Sequence, residues 1–185
     1  IVFGDWSSDV CSSDLDNTMN LNVGLDLANG ATTTSALNAL ERFIGKYLII
    51  GDKPDGLNIN LNCGSTHLEA SQELVMQNQL DLGFAFDGDG DRVLVVDDLG
   101  EIIDGDLLIY VMAKYLKEQN LLNNDVVVLS KMSNLGIIRA LNDLDVRVIQ
   151  TEVGDKYIFK ALDEEQGVLG GENSGHIINK LLFKT

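Results

Sequence analysis

Short apolar runs of strand length alternate with amphipathic stretches of helix length along this chain, and the alternation runs through two cycles. Residues 21–28 are apolar enough for a buried strand and end at Asn29-Gly30, a strong turn signal. Ala36, Leu37, Leu40, Phe43 and Ile44 then recur at three- and four-residue spacing, which predicts one helical face, and residues 47–50 read as the next strand. Thr66 and Glu69 have capping-box spacing, so a helix is predicted from there to about Asn78. Strands at 82–86 and 93–96 follow, with a turn at 97–100. The second cycle predicts a helix at 106–119 with an apolar stripe including Leu107, Leu108, Val111 and Tyr115. After it come a strand at 126–129, a helix at 135–144, a strand at 146–150 and a helix at 155–164. This rhythm predicts an α/β protein of two tandem three-layer α/β/α domains with mostly parallel or mixed central sheets. The boundary is placed near Ile102, giving units 16–101 and 102–185, although no Pro- or Gly-rich linker marks it and no clear sequence repeat relates the cycles.

A length of 185 residues suits two small domains, and 45% hydrophobic with 23% charged residues is enough to bury a core in each. Residues 5–15, D-W-S-S-D-V-C-S-S-D-L, have neither helical nor strand periodicity. The string resembles a translated sequencing adapter, so residues 1–15 are set aside from fold reasoning as a non-native segment; a natural acidic tail is the alternative. The 29 acids against 13 bases give a net charge of −16, which excludes a nucleic-acid backbone or an anionic membrane surface as partner while leaving room for a local phosphate pocket. No apolar run approaches the roughly 20 residues of a membrane span, and no secretory signal is recognisable. Cys11 and Cys63 are too few for a disulfide scaffold or a zinc site, so a reducing, cytoplasmic setting is expected.

The strongest chemical signal is D-G-D-G-D-R at 87–92. Asp87, Asp89 and Asp91 alternate with glycines that let the backbone curl until the acids converge. Convergent carboxylates repel one another unless a cation sits among them, and a hard divalent ion with oxygen ligands, Mg²⁺ above all, resolves that repulsion. An Asp-Gly hairpin turn between the apolar strands is the plainer alternative. An EF-hand is excluded, because its sixth and twelfth positions should be Gly and Glu but fall on Arg92 and Asp98. The long polar connection at 51–66, with the only proline, is a second segment of interest. G-G-E-N-S-G-H at 170–176 offers a carboxylate, an amide, a hydroxyl and an imidazole, suited to a polyhydroxylated ligand, although the same residues make an ordinary turn.

Taken together these motifs change the reading. With P-D-G-L-N-I-N-L-N-C-G-S-T-H at 54–67, M-S-N-L-G at 132–136 and V-G-D-K-Y at 153–157, the chain resembles the α-D-phosphohexomutase superfamily, and within it the bacterial phosphoglucosamine mutases. The resemblance covers about 21–178 and implies domain 2 and most of domain 3 of a four-domain enzyme. Such enzymes interconvert glucosamine 6-phosphate and glucosamine 1-phosphate, a step toward cell-wall amino sugars, through a phosphoserine and a bisphosphate intermediate. The resemblance implies that Asp87, Asp89 and Asp91 hold Mg²⁺ and that Arg92 contacts the phosphoserine phosphate. Glu172, Ser174 and His176 would bind the sugar, with Lys131 and Lys156 as weaker candidates near its phosphate.

The family's serine loop, T-A-S-H-N-P, and its phosphate loop, R-P-S-G-T-E-P, belong to domains 1 and 4 and do not occur in these 185 residues. The chain alone is therefore expected to be inactive, with those domains as its partners; the intact parent has room for a homodimer. Ser65 matches a different family segment and is expected to play a loop role rather than act as nucleophile. Leu68 replaces an expected Pro, and Asn173 an expected Gln. A phosphomannomutase or phosphoglucomutase fragment, or a non-catalytic metal-binding α/β module, are the alternatives.

Overall fold

The computed structural model describes residues 21–40 and 44–182; the adapter-like segment, Cys11 and Phe43 lie outside them. The first unit runs β1 (Leu21–Asp26), α1 (Thr32–Leu40), β2 (Ile44–Ile50), α2 (Glu69–Asn78), β3 (Leu82–Phe86), β4 (Val93–Asp97) and the short β5 (Ile102–Ile103). A long helix, α3 (Gly105–Glu118), leads to the second: β6 (Val126–Ser130), α4 (Leu135–Asp143), β7 (Arg147–Thr151), α5 (Asp155–Glu164), β8 (Leu169–Gly171) and β9 (Ile177–Asn179).

The sheets are ordered β2-β1-β3-β4-β5 and β7-β6-β8-β9. In each, the first strand is central and parallel to the second and third, and the fourth returns antiparallel to the third. One β-α-β-α-β-β pattern is thus used twice, without the sequence repeat that would announce it. Both sheets are mixed because the third and fourth strands are joined by a short loop rather than by a crossover helix. Those two loops are 87–92 and 172–176, the segments that carry the chemical motifs.

Central position explains the apolar runs. All five residues of β6 are buried, as expected of a strand covered on both faces. Val127 and Leu129 face one core with Ile109 and Ala113 of α3 and Ile137 and Leu141 of α4, while Val128 faces the other with Ile158, Ala161 and Leu162 of α5. In the first unit, Val23 and Leu25 pack with Ala36 of α1, and Val96 packs with Val75 of α2. Each unit therefore has three layers.

Four local expectations are corrected. Ile102 and Ile103, assigned to the second unit, pair with Val96 and Val95 of β4 and complete the first sheet. Ile44 belongs to β2, not to the preceding helix, because it pairs with Leu21 in the parallel ladder. No capping box forms at Thr66: the helix begins at Glu69 with Leu68 as its cap residue and no side-chain cap. Residues 64–68 are instead held as a turn, with the Ser65 amide on the Phe86 carbonyl at 2.9 Å and the His67 amide on that of Gly64 at 2.9 Å. Leu68 has φ −78°, a value proline also adopts, so its presence in place of Pro costs the backbone little. In α3 the proposed stripe faces outward except at half-buried Leu108. Val111 and Tyr115 are each 60% exposed, while Ile109, Ala113 and Leu116, one register over, fill the core.

Candidate active site

Both motif loops leave the C-terminal end of a parallel strand, the edge where open α/β sheets bind ligands. Asp87 follows β3 directly and its carboxylate organises the loop behind it. One oxygen accepts the amides of Gly90 at 3.0 Å and Arg92 at 3.2 Å, and the other accepts Arg92 Nε at 2.6 Å. Gly90 takes φ +79°, a left-handed conformation that explains a glycine there. The loop also rests on the turn after β1: the Ala31 amide donates to the Gly88 carbonyl at 2.8 Å, and a Cβ on Gly30 would stand 2.3 Å from that oxygen. The Asp-Gly hairpin and the acid cluster are thus the same structure, not alternatives, because the six-residue hairpin loop is what turns the three acids together.

One carboxylate oxygen from each of Asp87, Asp89 and Asp91 lies within 4.8 Å of the others. Asp87 is buried while Asp89 and Asp91 are exposed, so the cluster is anchored at one end and open at the other. Burial opposes ionisation of Asp87, but hydrogen bonds from Asp91, from the Arg92 amide and guanidinium, and from Asp89 outweigh it and hold its pKa below the usual value. Asp91 moves the other way: burial, its hydrogen bond to Asp87 and the charges of Asp87 and Asp89 raise its pKa, against a lowering pull from His176. The Asp87 hydrogen bond raises the pKa of Arg92. An all-oxygen donor set whose members resist joint ionisation suits a hard divalent cation, so the residues fit the magnesium site expected of them.

The 172–176 loop is a tight turn closed by the Glu172 amide on the His176 carbonyl at 3.0 Å and the Gly175 amide on that of Glu172 at 3.1 Å. Glu172 reaches across to the start of α5, accepting the Gly154 amide at 2.8 Å, and its other oxygen lies 3.5 Å from the Ser174 hydroxyl. His176 Nδ1 stands 3.1 Å from Asp91 Oδ2, joining the two loops across 85 residues of sequence. An open groove of about 720 Å³ runs past His176 between α5 and β9, lined also by Lys156, Phe159, Lys160 and Ile178.

The structure therefore brings together Asp87, Asp89, Asp91, Arg92, Glu172, Ser174 and His176, with Lys156 on the same groove as His176. Arg92 is turned in upon Asp87 and Asp91. The Lys156 ammonium sits 4.8 Å from the Tyr157 ring centroid. Lys131, just after β6, is paired with Glu152 at the surface and is not among the groove residues. Ser65 is buried and tied by its amide to the end of β3, in keeping with a loop role. Sequence reasoning passed over Asp26. Fully buried at the end of β1, it accepts the amides of Ala28 and Gly64 and the Ser71 hydroxyl, and so pins the 51–66 connection beside the acid loop. An acid closing an apolar run was the available signal.

Comparison with known proteins agrees in sequence and in fold. Residues 6–100 match the family model described as phosphoglucomutase/phosphomannomutase, alpha/beta/alpha domain II, and residues 104–185 match domain III. A phosphoglucosamine mutase of Lachnoclostridium phytofermentans is 48% identical over 158 residues, 85% of this chain and 35% of the relative. That of Ruthia magnifica is 44% identical over 171 residues, 91% of this chain and 39% of the relative. The chain thus spans little more than a third of the length of these relatives. Among solved structures, a phosphoglucomutase/phosphomannomutase family protein of Burkholderia thailandensis superposes with TM-score 0.79 at 23% identity, covering 88% of this chain and 36% of that one. An Aspergillus fumigatus N-acetylphosphoglucosamine mutase, in complex with GlcNAc-6P and magnesium, superposes with TM-score 0.64 at 20% identity over 84% of this chain and 35% of that one.

Proposed function

Because the chain belongs to the phosphoglucomutase/phosphomannomutase family, we propose that it forms the metal- and sugar-binding part of a phosphoglucosamine mutase, interconverting glucosamine 6-phosphate and glucosamine 1-phosphate. The observation that carries this reading is the direct bond between the acid loop and the polar loop, Asp91 to His176 at 3.1 Å. It supports the reading because it puts the acid cluster beside the polar loop, and transfer of a phosphoryl group to and from a sugar needs a cation and hydroxyl-binding groups close together.

Asp87, Asp89 and Asp91 would hold Mg²⁺, which when bound neutralises and polarises the phosphoryl group. The other roles fall to side chains of this chain. Asp87 holds Arg92 beside the cluster, where its guanidinium can bind phosphate oxygens in bidentate fashion. Glu172, pinned by the Gly154 amide, accepts from sugar hydroxyls, and Ser174 both donates and accepts. His176 lies between the two groups, and Lys156 offers a cation to the sugar phosphate along the groove. Lys131, paired with Glu152, has the weaker claim to that role. The phosphoserine and the remaining phosphate contacts would come from regions the longer relatives possess. Two cysteines without a disulfide pattern suit a cytoplasmic enzyme, and among the described residues no helix is long and apolar enough to cross a membrane.

The test is a chimera in which the flanking regions of the L. phytofermentans relative complete this chain. It should isomerise glucosamine 6-phosphate in the presence of Mg²⁺ and lose that activity when Asp89 and Asp91 are replaced by Asn. Preference for mannose or glucose phosphates would assign a sister mutase instead, and activity indifferent to the aspartates would refute the metal site.

A further inference from the structure

Between the two loops runs a seam of backbone contacts that the chemistry proposed above does not itself require. Val93, next to Arg92, donates its amide to the Gly175 carbonyl at 3.2 Å. Gly105, the first residue of α3, donates to the Asn173 carbonyl at 3.0 Å. Neither contact leaves room for a side chain: a Cβ on Gly175 would meet the Val93 carbonyl oxygen at 2.3 Å, and one on Gly105 would meet that of Glu172 at 2.1 Å. Gly175 also takes φ +93°, which other residues rarely adopt. The 172–176 loop is thus gripped at two points by backbone from outside its own hairpin, and at a third by the Asp91 carboxylate on His176.

A segment held this closely cannot follow a small displacement on one side without moving on the other, because packed backbone has no slack to absorb it. Asp91 is both the member of the acid cluster that touches His176 and a residue two positions from Val93. A shift of the Asp91 carboxylate would therefore reach the polar loop both through its contact with His176 and through the backbone at Val93. We propose that this seam couples the two sites: cation uptake at Asp87, Asp89 and Asp91 sets the geometry of the 172–176 loop, with Gly105 and Gly175 as positioning residues. By reciprocity, a sugar phosphate held by that loop tightens the cation by the same factor. The coupling rests on the metal reading above, and its test separates the two.

The readout is amide hydrogen exchange of the ¹⁵N-labelled chain during a Mg²⁺ titration, followed at Gly105, whose amide donates to the Asn173 carbonyl. Exchange at Gly105 should slow by about fivefold, the low end of ordinary coupling energies, along the isotherm that the 88–92 amides report by chemical shift. A saturable response confined to 88–92 would overturn the coupling and leave the metal site standing; no saturable response anywhere would overturn both. In Gly175→Ala the 88–92 response should persist while the slowing at Gly105 falls by more than half, and undiminished slowing refutes the seam. Should that variant not fold, His176→Ala, which removes the side-chain tie and no backbone contact, must reduce the slowing for the coupling to survive.

Discussion

Asp87 and Asp91 lie four residues apart in one loop, yet their surroundings assign them opposite effects on the metal-free fold. Asp87→Ala removes the acceptor for the Gly90 amide at 3.0 Å, the Arg92 amide at 3.2 Å and Arg92 Nε at 2.6 Å. The Asp87 side chain is 1% exposed, so water does not take its place, whereas Arg92 is 39% exposed and can turn to solvent. Counting about 1–1.5 kcal/mol for each amide bond and about 0.5 kcal/mol for the screened ion pair gives a loss of about 3 kcal/mol. For a chain of this size that is a fall of about 9 °C in unfolding midpoint. Asp91→Asn keeps an oxygen for His176 and removes a charge crowded by burial and by Asp87 and Asp89, so the metal-free midpoint should hold or rise. Both variants should bind Mg²⁺ at least about tenfold more weakly, since each loses a charged ligand. Circular dichroism melts in EDTA and calorimetric titration with Mg²⁺ measure the two effects separately. If Asp91→Asn in EDTA destabilised the chain as much as Asp87→Ala, the division between an anchoring acid and a repelled one would be wrong.

Three further outcomes follow from titration and from packing. Protons compete with the cation at Asp91, whose pKa is raised, so Mg²⁺ affinity measured by calorimetry should begin to fall with decreasing pH above the usual carboxylate value of about 3.9. Asp26 is also raised, chiefly by burial, so its shift contributes stability below its unfolded pKa that is lost as pH rises through the folded one. The cost of Asp26→Asn in unfolding experiments should therefore grow as pH falls, and a cost that shrank would contradict this sign. On α3, Ile109→Ala should cost about 2–5 kcal/mol and Val111→Ser no more than about 0.5 kcal/mol. Equal costs in denaturant titrations would restore the stripe through Leu107, Val111 and Tyr115.

Element order and the chemical motifs were legible because they are local. The runs that became β1, β3 and β6 are apolar since both faces of a central strand are covered, and that shows in any window of five residues. The 155–164 helix was read with its observed bounds because its apolar residues recur at helical spacing. Three acids at alternate positions likewise declare their convergence without reference to the rest of the chain. Which face of α3 is buried was not local: Leu107, Val111 and Tyr115 satisfy the periodicity as well as Ile109, Ala113 and Leu116, and contact with β8 and α4 decides between them. The Thr66 cap failed for a related reason, since bonds from Ser65 and His67 had already shaped that turn.

The amino-acid sequence by itself determined the α/β class, the two cycles and the residue types of both loops, because each is written within a few turns of backbone. Only the tertiary structure decided that the two cycles share one topology, that Asp91 meets His176, and that Gly175 of one unit seats against Val93 of the other. Such contacts join residues tens of positions apart. They exist only once separate sheets have carried both loops to the same edge, and no periodicity along the chain records that placement.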